Sequence, residues 1–270
     1  MKIYDKKLAY PYFVWMVLFT VVPLFIVVYY ALTDSTGSFT LDNLVTVSGY
    51  GSVFARSLLL AIISTVVCLI IAFPVGYFLS RLRVNKQHIM LMLVMLPMWM
   101  NFLLRTYAWM GLLSINGPVN AVLGVFGLGP YNMLNTSGAV VLGMVYNFLP
   151  FMIYPIYNTL QKMDHSLIEA AQDLGANPSQ VFIKAVFPLS MPGVMSGIMM
   201  VFMPTISTFA IAELLTMNNI KLFGTTIQEN INNGMWNYGA ALSLIMLLLI
   251  GITGLFSNES SDSANEGGLI

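Results

Sequence analysis

Six long apolar runs decide which solvent this chain folds in. They cover residues 12–32, 57–80, 89–113, 138–160, 193–215 and 238–256. A helix rising about 1.5 Å per residue needs roughly 20 apolar residues to cross a hydrocarbon layer of about 30 Å, and each run supplies them. Pro23, Pro74, Pro97, Pro150 and Pro204 fall inside these runs. Within a bilayer a proline kinks a helix without ending it, because neighbouring helices take up the freed carbonyls. The expected fold is all-α and integral to the membrane, with six transmembrane helices.

Composition closes off the soluble alternative. Apolar residues make up 58% of the chain and charged residues 8%, where soluble domains carry about 25% charge. Too few polar groups exist to coat a water-facing surface. The formal net charge is zero and offers nothing to a nucleic acid. A single cysteine, Cys68, lies within an apolar run, which excludes a disulfide framework and points to packing. The N-terminal lysines could open a signal peptide. The first run is longer than the usual h-region of roughly 7–15 residues, however, and no small-x-small cleavage site follows it, so an uncleaved first span is expected.

The basic residues orient the spans. With a cytoplasmic N-terminus, Lys2, Lys6, Lys7, Arg81, Arg83, Lys86, Lys162 and Lys184 fall inside, while Arg56 and Lys221 face outward and Arg105 lies within the third span. This positive-inside asymmetry places both termini in the cytoplasm. The outer loops 33–56, 114–137 and 216–237 have room for a short interfacial helix and not for a core of their own. Residues 1–256 therefore read as one transmembrane domain, and the acidic, Ser- and Gly-containing segment 257–270 as a short disordered tail.

The cytoplasmic loop 162–192 carries the most information. Ser166 with Glu169 three residues on has the form of a capping box. Gly175 follows at a natural C′ position, where glycine enters the left-handed region cheaply. Asn177 caps a second helix with Pro178 at its first position, and that helix carries Val181, Phe182, Ala185 and Val186 on one face and ends near Pro188. Two short helices joined by a turn make a docking loop. Capping alone explains Ser166, Glu169 and Gly175 individually, without the spacing and placement of the whole.

Glu169-Ala170-Ala171, three residues, Gly175, then twelve residues to Pro188 resemble the EAA loop of permease subunits of bacterial ATP-binding-cassette importers. Ala185 stands where that pattern has Ile and Phe187 where it has Leu; both remain apolar. The resemblance implies a type I importer (MetI-like) permease fold. It implies that Glu169, Ala170, Ala171, Gly175 and Pro188 couple the spans to an ATPase groove. It further implies a cytoplasmic ATPase dimer, a second similar permease subunit, an extracytoplasmic substrate-binding protein, and residence in the bacterial cytoplasmic membrane. No Gly-Lys pair, and so no phosphate-binding G-x-x-x-x-G-K-[ST] loop, occurs in the chain. The chain is therefore expected to hold no cofactor and to be no enzyme itself, with ATP bound by the partner.

Charged groups inside spans are costly and default to functional readings. Arg105 and Glu213 are the two, and counting the rise along helices three and five puts both toward the outer surface. They either pair with each other and reach water, or border the mouth of the translocation path. The segment from Pro97 to Trp109, the Asn147–Met152 stretch, and Pro204 with Glu213 nine positions later are similar to the first permease subunit of spermidine/putrescine importers. Permeases for iron or phosphonates share parts of the pattern. The resemblance implies a polyamine path formed by Trp99, Asn101, Arg105, Tyr107, Trp109 and Glu213. Carboxylates and aromatic faces suit a polycation, whereas Arg105 is discordant unless neutralised. A secondary transporter would need internal repeats or broken helices at mid-membrane. A membrane enzyme lacks support, since His88 and His165 show no metal-ligand spacing.

Overall fold

Proline and its neighbours decide where the helices of this chain bend and where they break. The structure is a computed structural model that describes residues 10–164 and 166–266; Lys2, Lys6, Lys7, His165 and the last four residues of the tail lie outside the described residues. Helix α1, Tyr10–Ala31, widens into a π turn over Val17–Val21 just ahead of Pro23. The longer i→i+5 bonding there absorbs the N–H that proline lacks. A short α2, Asp42–Val47, leads through a 3₁₀ turn into α3, Gly51–Ser80, which keeps Pro74 without a break.

The third passage corrects the expectation of one continuous helix over 89–113. It consists of α4, Val84–Met95, a 3₁₀ turn over Leu96–Trp99, and α5, Phe102–Leu113. Twelve residues rise about 18 Å, so neither helix alone crosses the hydrocarbon. Two residues cause the break. Pro97 sits in the turn, and Asn101 takes an extended backbone so that its side chain accepts from the N–H groups of Leu103 and Leu104, at 2.9 and 3.3 Å. An asparagine that caps a new helix offers the backbone an alternative to continuing the old one. A short α6, Pro118–Val125, follows.

Helix α7, Ser137–Gln161, continues unbroken through Pro150 and Pro155 and is capped by Thr136, whose Oγ1 accepts from Ala139 N–H at 3.1 Å. Two short helices come next, α8 over Ser166–Asp173 and α9 over Pro178–Val181. The second does not end near Pro188, as the sequence led us to expect. It passes through a π turn, Phe182–Val186, into α10, Phe187–Ser207, again with the wide turn directly before a proline. The fifth passage then breaks short of residue 215. Thr208 is extended, and α11, Ala210–Thr216, stands apart, ending at left-handed Met217 and Asn218. Helix α12, Phe223–Asn232, precedes α13, Trp236–Glu266. The backbone of α13 continues past residue 256 into the stretch assigned to the tail, a stretch that holds neither proline nor glycine until Gly267. Loops 33–56, 114–137 and 216–237 each hold one short helix: α2, α6 and α12.

Among the described residues six helical runs are long and apolar enough to cross a membrane, the third of them, Phe102–Val125, joining α5 to α6. At the centre of the bundle α3, α7 and α10 pack on one another around Cys68, Ala72, Met152, Ile156, Val194 and Val201. The approach is close because glycines face side chains. A Cβ on Gly76 would lie 3.1 Å from Ile156, and one on Gly197 would lie 2.7 Å from the Met152 sulfur. Small residues substitute for the missing hydrophobic drive between helices in lipid. Helix α1 packs on α13 at the edge, its end held by Asn43 and Asn237, which donate to the Ala31, Tyr30 and Thr33 carbonyls. Outward faces are apolar, with Ile62, Val66, Ile70 and Phe78 exposed along α3, as a lipid-facing surface requires.

Candidate functional site: a docking loop and a central cavity

The loop between α7 and α10 folds from its own local chemistry. Ser166 is the first residue of α8, not its cap. Its N–H is taken by the Asp164 carboxylate two residues upstream at 2.9 Å, an anion favoured at a helix start. The reciprocal capping box forms one helix later. Asn177 Oδ1 accepts from Gln180 N–H at 2.9 Å and Gln180 Oε1 accepts from Asn177 N–H at 3.0 Å. Gly175 adopts φ +82°, the Ala176 N–H donates to Ala171 O at 3.1 Å, and the Gly175 N–H donates to Gln172 O at 2.8 Å. These two bonds are the Schellman closure, with Gly175 at C′.

The loop turns one face inward. Ile168, Ala171 and Ala176 pack against the central core, while Leu167, Glu169, Ala170 and Leu174 are exposed, Leu174 at 89%. Pro188 is exposed in the first turn of α10. Phe182 and Phe187 lie against Phe73 of α3, ring centroids 5.6 Å apart in each case. The end of α7 is fastened by Gln87 of α4. Its Nε2 donates to the Ser80 and Leu82 carbonyls at 3.0 and 2.7 Å, and its Oε1 accepts from Tyr157 Oη and Gln161 Nε2 at 3.3 and 3.2 Å. Packed rings therefore join the end of the loop to α3, and the saturated Gln87 amide joins α3 and α4 to α7.

A cavity of about 330 Å³ lies where the broken third and fifth passages meet α7. Arg105, Asn147, Phe151, Ser207 and Thr208 are among its walls. Asn147 is ten residues from one end of α7 and Phe151 ten from the other, about 15 Å each way. This corrects the placement of Arg105 toward the outer surface, because the break at residues 96–101 invalidates a count along one straight helix. Arg105 is 7% exposed, lies 5.9 Å from the centroid of the Tyr146 ring, and has no acceptor for its Nε and Nη1. Asn147 donates to Gly143 O at 2.8 Å and leaves its Oδ1 unpartnered.

The structure gathers only part of the expected path. Trp109 joins Arg105 indirectly, its ring edge-on to Tyr146 at 5.3 Å. Asn101 caps α5. Trp99 is 81% exposed, and Tyr107 and Glu213 are exposed outside the cavity. Among the described residues Arg105 and Glu213 form no ion pair with each other, whereas Lys221 and Glu229 pair at 2.6 Å. Asn147, Ser207 and Thr208 were not singled out as site residues from the sequence. The usable signal was an amide in the middle of an otherwise apolar span.

The family model for the inner membrane component of binding-protein-dependent transport systems matches residues 6–262. The chain belongs to that family. This permease is therefore a multi-pass protein of the inner membrane. It is 34% identical over 251 residues to the spermidine/putrescine transport system permease protein PotB of Haemophilus influenzae, covering 89% of this chain and 88% of that one. It is 35% identical over 249 residues to PotB of Escherichia coli K12, covering 88% and 90%. A chain from the crystal structure of a bacterial alginate ABC transporter, in complex with an alginate pentasaccharide-bound periplasmic protein, superposes with a TM-score of 0.80 at 16% identity, covering 95% of the permease and 93% of that chain. At that identity the likeness speaks for the fold alone, and it agrees with the expected importer permease architecture.

Proposed function

We propose that this permease carries polyamines of the spermidine and putrescine class inward across the cytoplasmic membrane, driven by a separate ATPase. The observation that carries the substrate class is the likeness to the PotB permeases over nearly the whole of both chains. The exposed face of α8, with Glu169, Ala170 and Leu174 outward and Gly175 closing the helix, is the seat for the ATPase. Pro188 lies where the loop passes into α10, so movement of the docked ATPase turns α10 directly. The termini and α8 are cytoplasmic, in keeping with the basic residues at that end. A second permease subunit completes the path, an ATPase dimer binds the ATP, and an extracytoplasmic binding protein delivers the substrate. Alternating access follows because α10 and α5 end at the central cavity and can reorient about their breaks.

Uptake of radiolabelled spermidine and putrescine, in a strain lacking its own polyamine importers and supplied with the complete transporter, tests this reading. ATP-dependent uptake is the expected result. Uptake of neither amine, with the complex assembled, refutes the substrate class.

A further inference from the structure

A second cavity lies next to the central one, displaced toward the end of α7 that carries the docking loop. It has about 320 Å³ and is lined by Met95, Met98, Pro150, Phe151, Tyr154 and Met200. Three passages meet the two cavities in the same order. On α7, Asn147 lines the central cavity and Tyr154 the second; on α10, Ser207 lines the central cavity and Met200 the second. On the third passage the pair is Arg105 and Met95. Among the described residues Phe151 alone lines both.

The two spaces differ in chemistry. Arg105 and Asn147 bring buried, unpartnered polar atoms to the walls of the central cavity, and a roomy polar site of this kind holds water. The second cavity has walls of methionine, proline and aromatic carbon with no charge and no amide, which water wets poorly. Asn147, Phe151 and Tyr154 stand at i, i+4 and i+7 and so share one face of α7. Met152, Ile153 and Ile156 pack into the core on the other. Phe148, a wall of the central cavity, lies against the Phe151 ring with centroids 6.4 Å apart. Phe151 is thus fixed to an unbroken helix, whereas the walls opposite it are not. Met95 and Met98 flank Pro97 in the break of the third passage, and Met200 stands on α10 two turns before that helix ends.

We propose that Phe151 is the inner gate of the translocation path. Its ring stands between the wet central cavity and an apolar vestibule toward the cytoplasm, and an apolar constriction stops ions by excluding their water. Movement of α10 and of the third passage away from α7 opens it. The proposal rests on the importer reading above and gives that reading a specific barrier. The path runs down the Asn147–Phe151–Tyr154 face of α7 instead of past Trp99 and Tyr107.

Cysteine labelling tests the gate without any polyamine. Met200→Cys reports on the vestibule and Ser207→Cys on the central cavity, about 10 Å apart along α10. Each is placed in a Cys68→Ala background of the complete transporter. A membrane-impermeant cationic methanethiosulfonate is added to the cytoplasmic face of nucleotide-free inside-out vesicles, and labelling is read as the gain in mass of this chain. Met200→Cys reacts and Ser207→Cys does not. Phe151→Ala lets the reagent reach Ser207→Cys, whereas Phe151→Leu, which keeps apolar bulk, leaves it protected. Phe151→Val replaces alanine should that variant fail to co-purify with the ATPase. Labelling of Ser207→Cys with Phe151 in place overturns the proposal. Protection that survives truncation of Phe151, or an unreactive Met200→Cys, also overturns it. In uptake, the truncated variant hydrolyses ATP but accumulates less spermidine than the wild type, because the cation leaks back; undiminished accumulation counts against the gate. Labelling that follows the expected pattern in a transporter that moves no polyamine leaves Phe151 as the gate and overturns the substrate class instead.

Discussion

Gly193 of α10 meets Thr159 of α7 with no room for a side chain between them. A Cβ there would lie 2.5 Å from Thr159 Oγ1 and 2.7 Å from the Pro155 carbonyl oxygen. Gly193→Val therefore forces α10 off α7 and costs about 1–3 kcal/mol, the usual range for overpacking. The expected outcome is a lower melting temperature of the detergent-solubilised complex. Gly251→Ala, where nothing lies within 4 Å of the added carbon, leaves it unchanged.

Gly175 pays no such steric penalty, because a Cβ there meets open space. Its constraint is conformational. With φ at +82°, a β-branched residue costs about 1–2 kcal/mol for the left-handed backbone. Aspartate tolerates that region and instead adds a negative charge to the exposed docking face. Gly175→Asp inserts normally but loses ATPase co-purification and uptake together. Gly175→Asn, which tolerates this region better, retains more of both.

How much of this could be read in the sequence varies with how local the cause is. The closure at Gly175 and the Asn177 cap depend on a handful of neighbouring residues and were legible. The six spans were legible because lipid demands length and apolarity. The breaks after Leu96 and at Thr208 were not, since a proline in a membrane helix is equally compatible with an unbroken helix, as Pro150 and Pro155 of α7 show. The run from α9 through Pro188 into α10 was also misjudged, because the π turn that absorbs the proline leaves no mark in residue type. Arg105 was recognised by its charge. Asn147 became visible as its neighbour only once α5 and α7 were packed together.

Gln87 holds four partners at once. Gln87→Leu strands the Ser80 and Leu82 carbonyls and removes the acceptor of Tyr157 and Gln161. The expected loss is about 1–3 kcal/mol for the unsatisfied groups. Thermal unfolding measures it. Uptake should fall while polyamine-independent ATP hydrolysis persists, because the damage lies between the docking loop and the spans.

Asn101 separates a cap from a contact. Asn101→Ala removes an N-cap and costs about 1 kcal/mol, whereas Asn101→Asp keeps the acceptor that Leu103 and Leu104 use. Stability therefore drops for alanine and holds for aspartate in a thermal-shift comparison. An unchanged stability in both variants would remove the capping explanation for the break before α5.

Transport by this permease requires that α8 be driven by a separate motor. The most direct measurement is uptake of labelled spermidine into proteoliposomes that hold the two permease subunits, with and without the ATPase, ATP and binding protein. Accumulation is expected only when all are present, and none with Gly175→Asp. Spermidine accumulation by the permeases alone, in vesicles free of any nucleotide-hydrolysing subunit, would contradict that requirement.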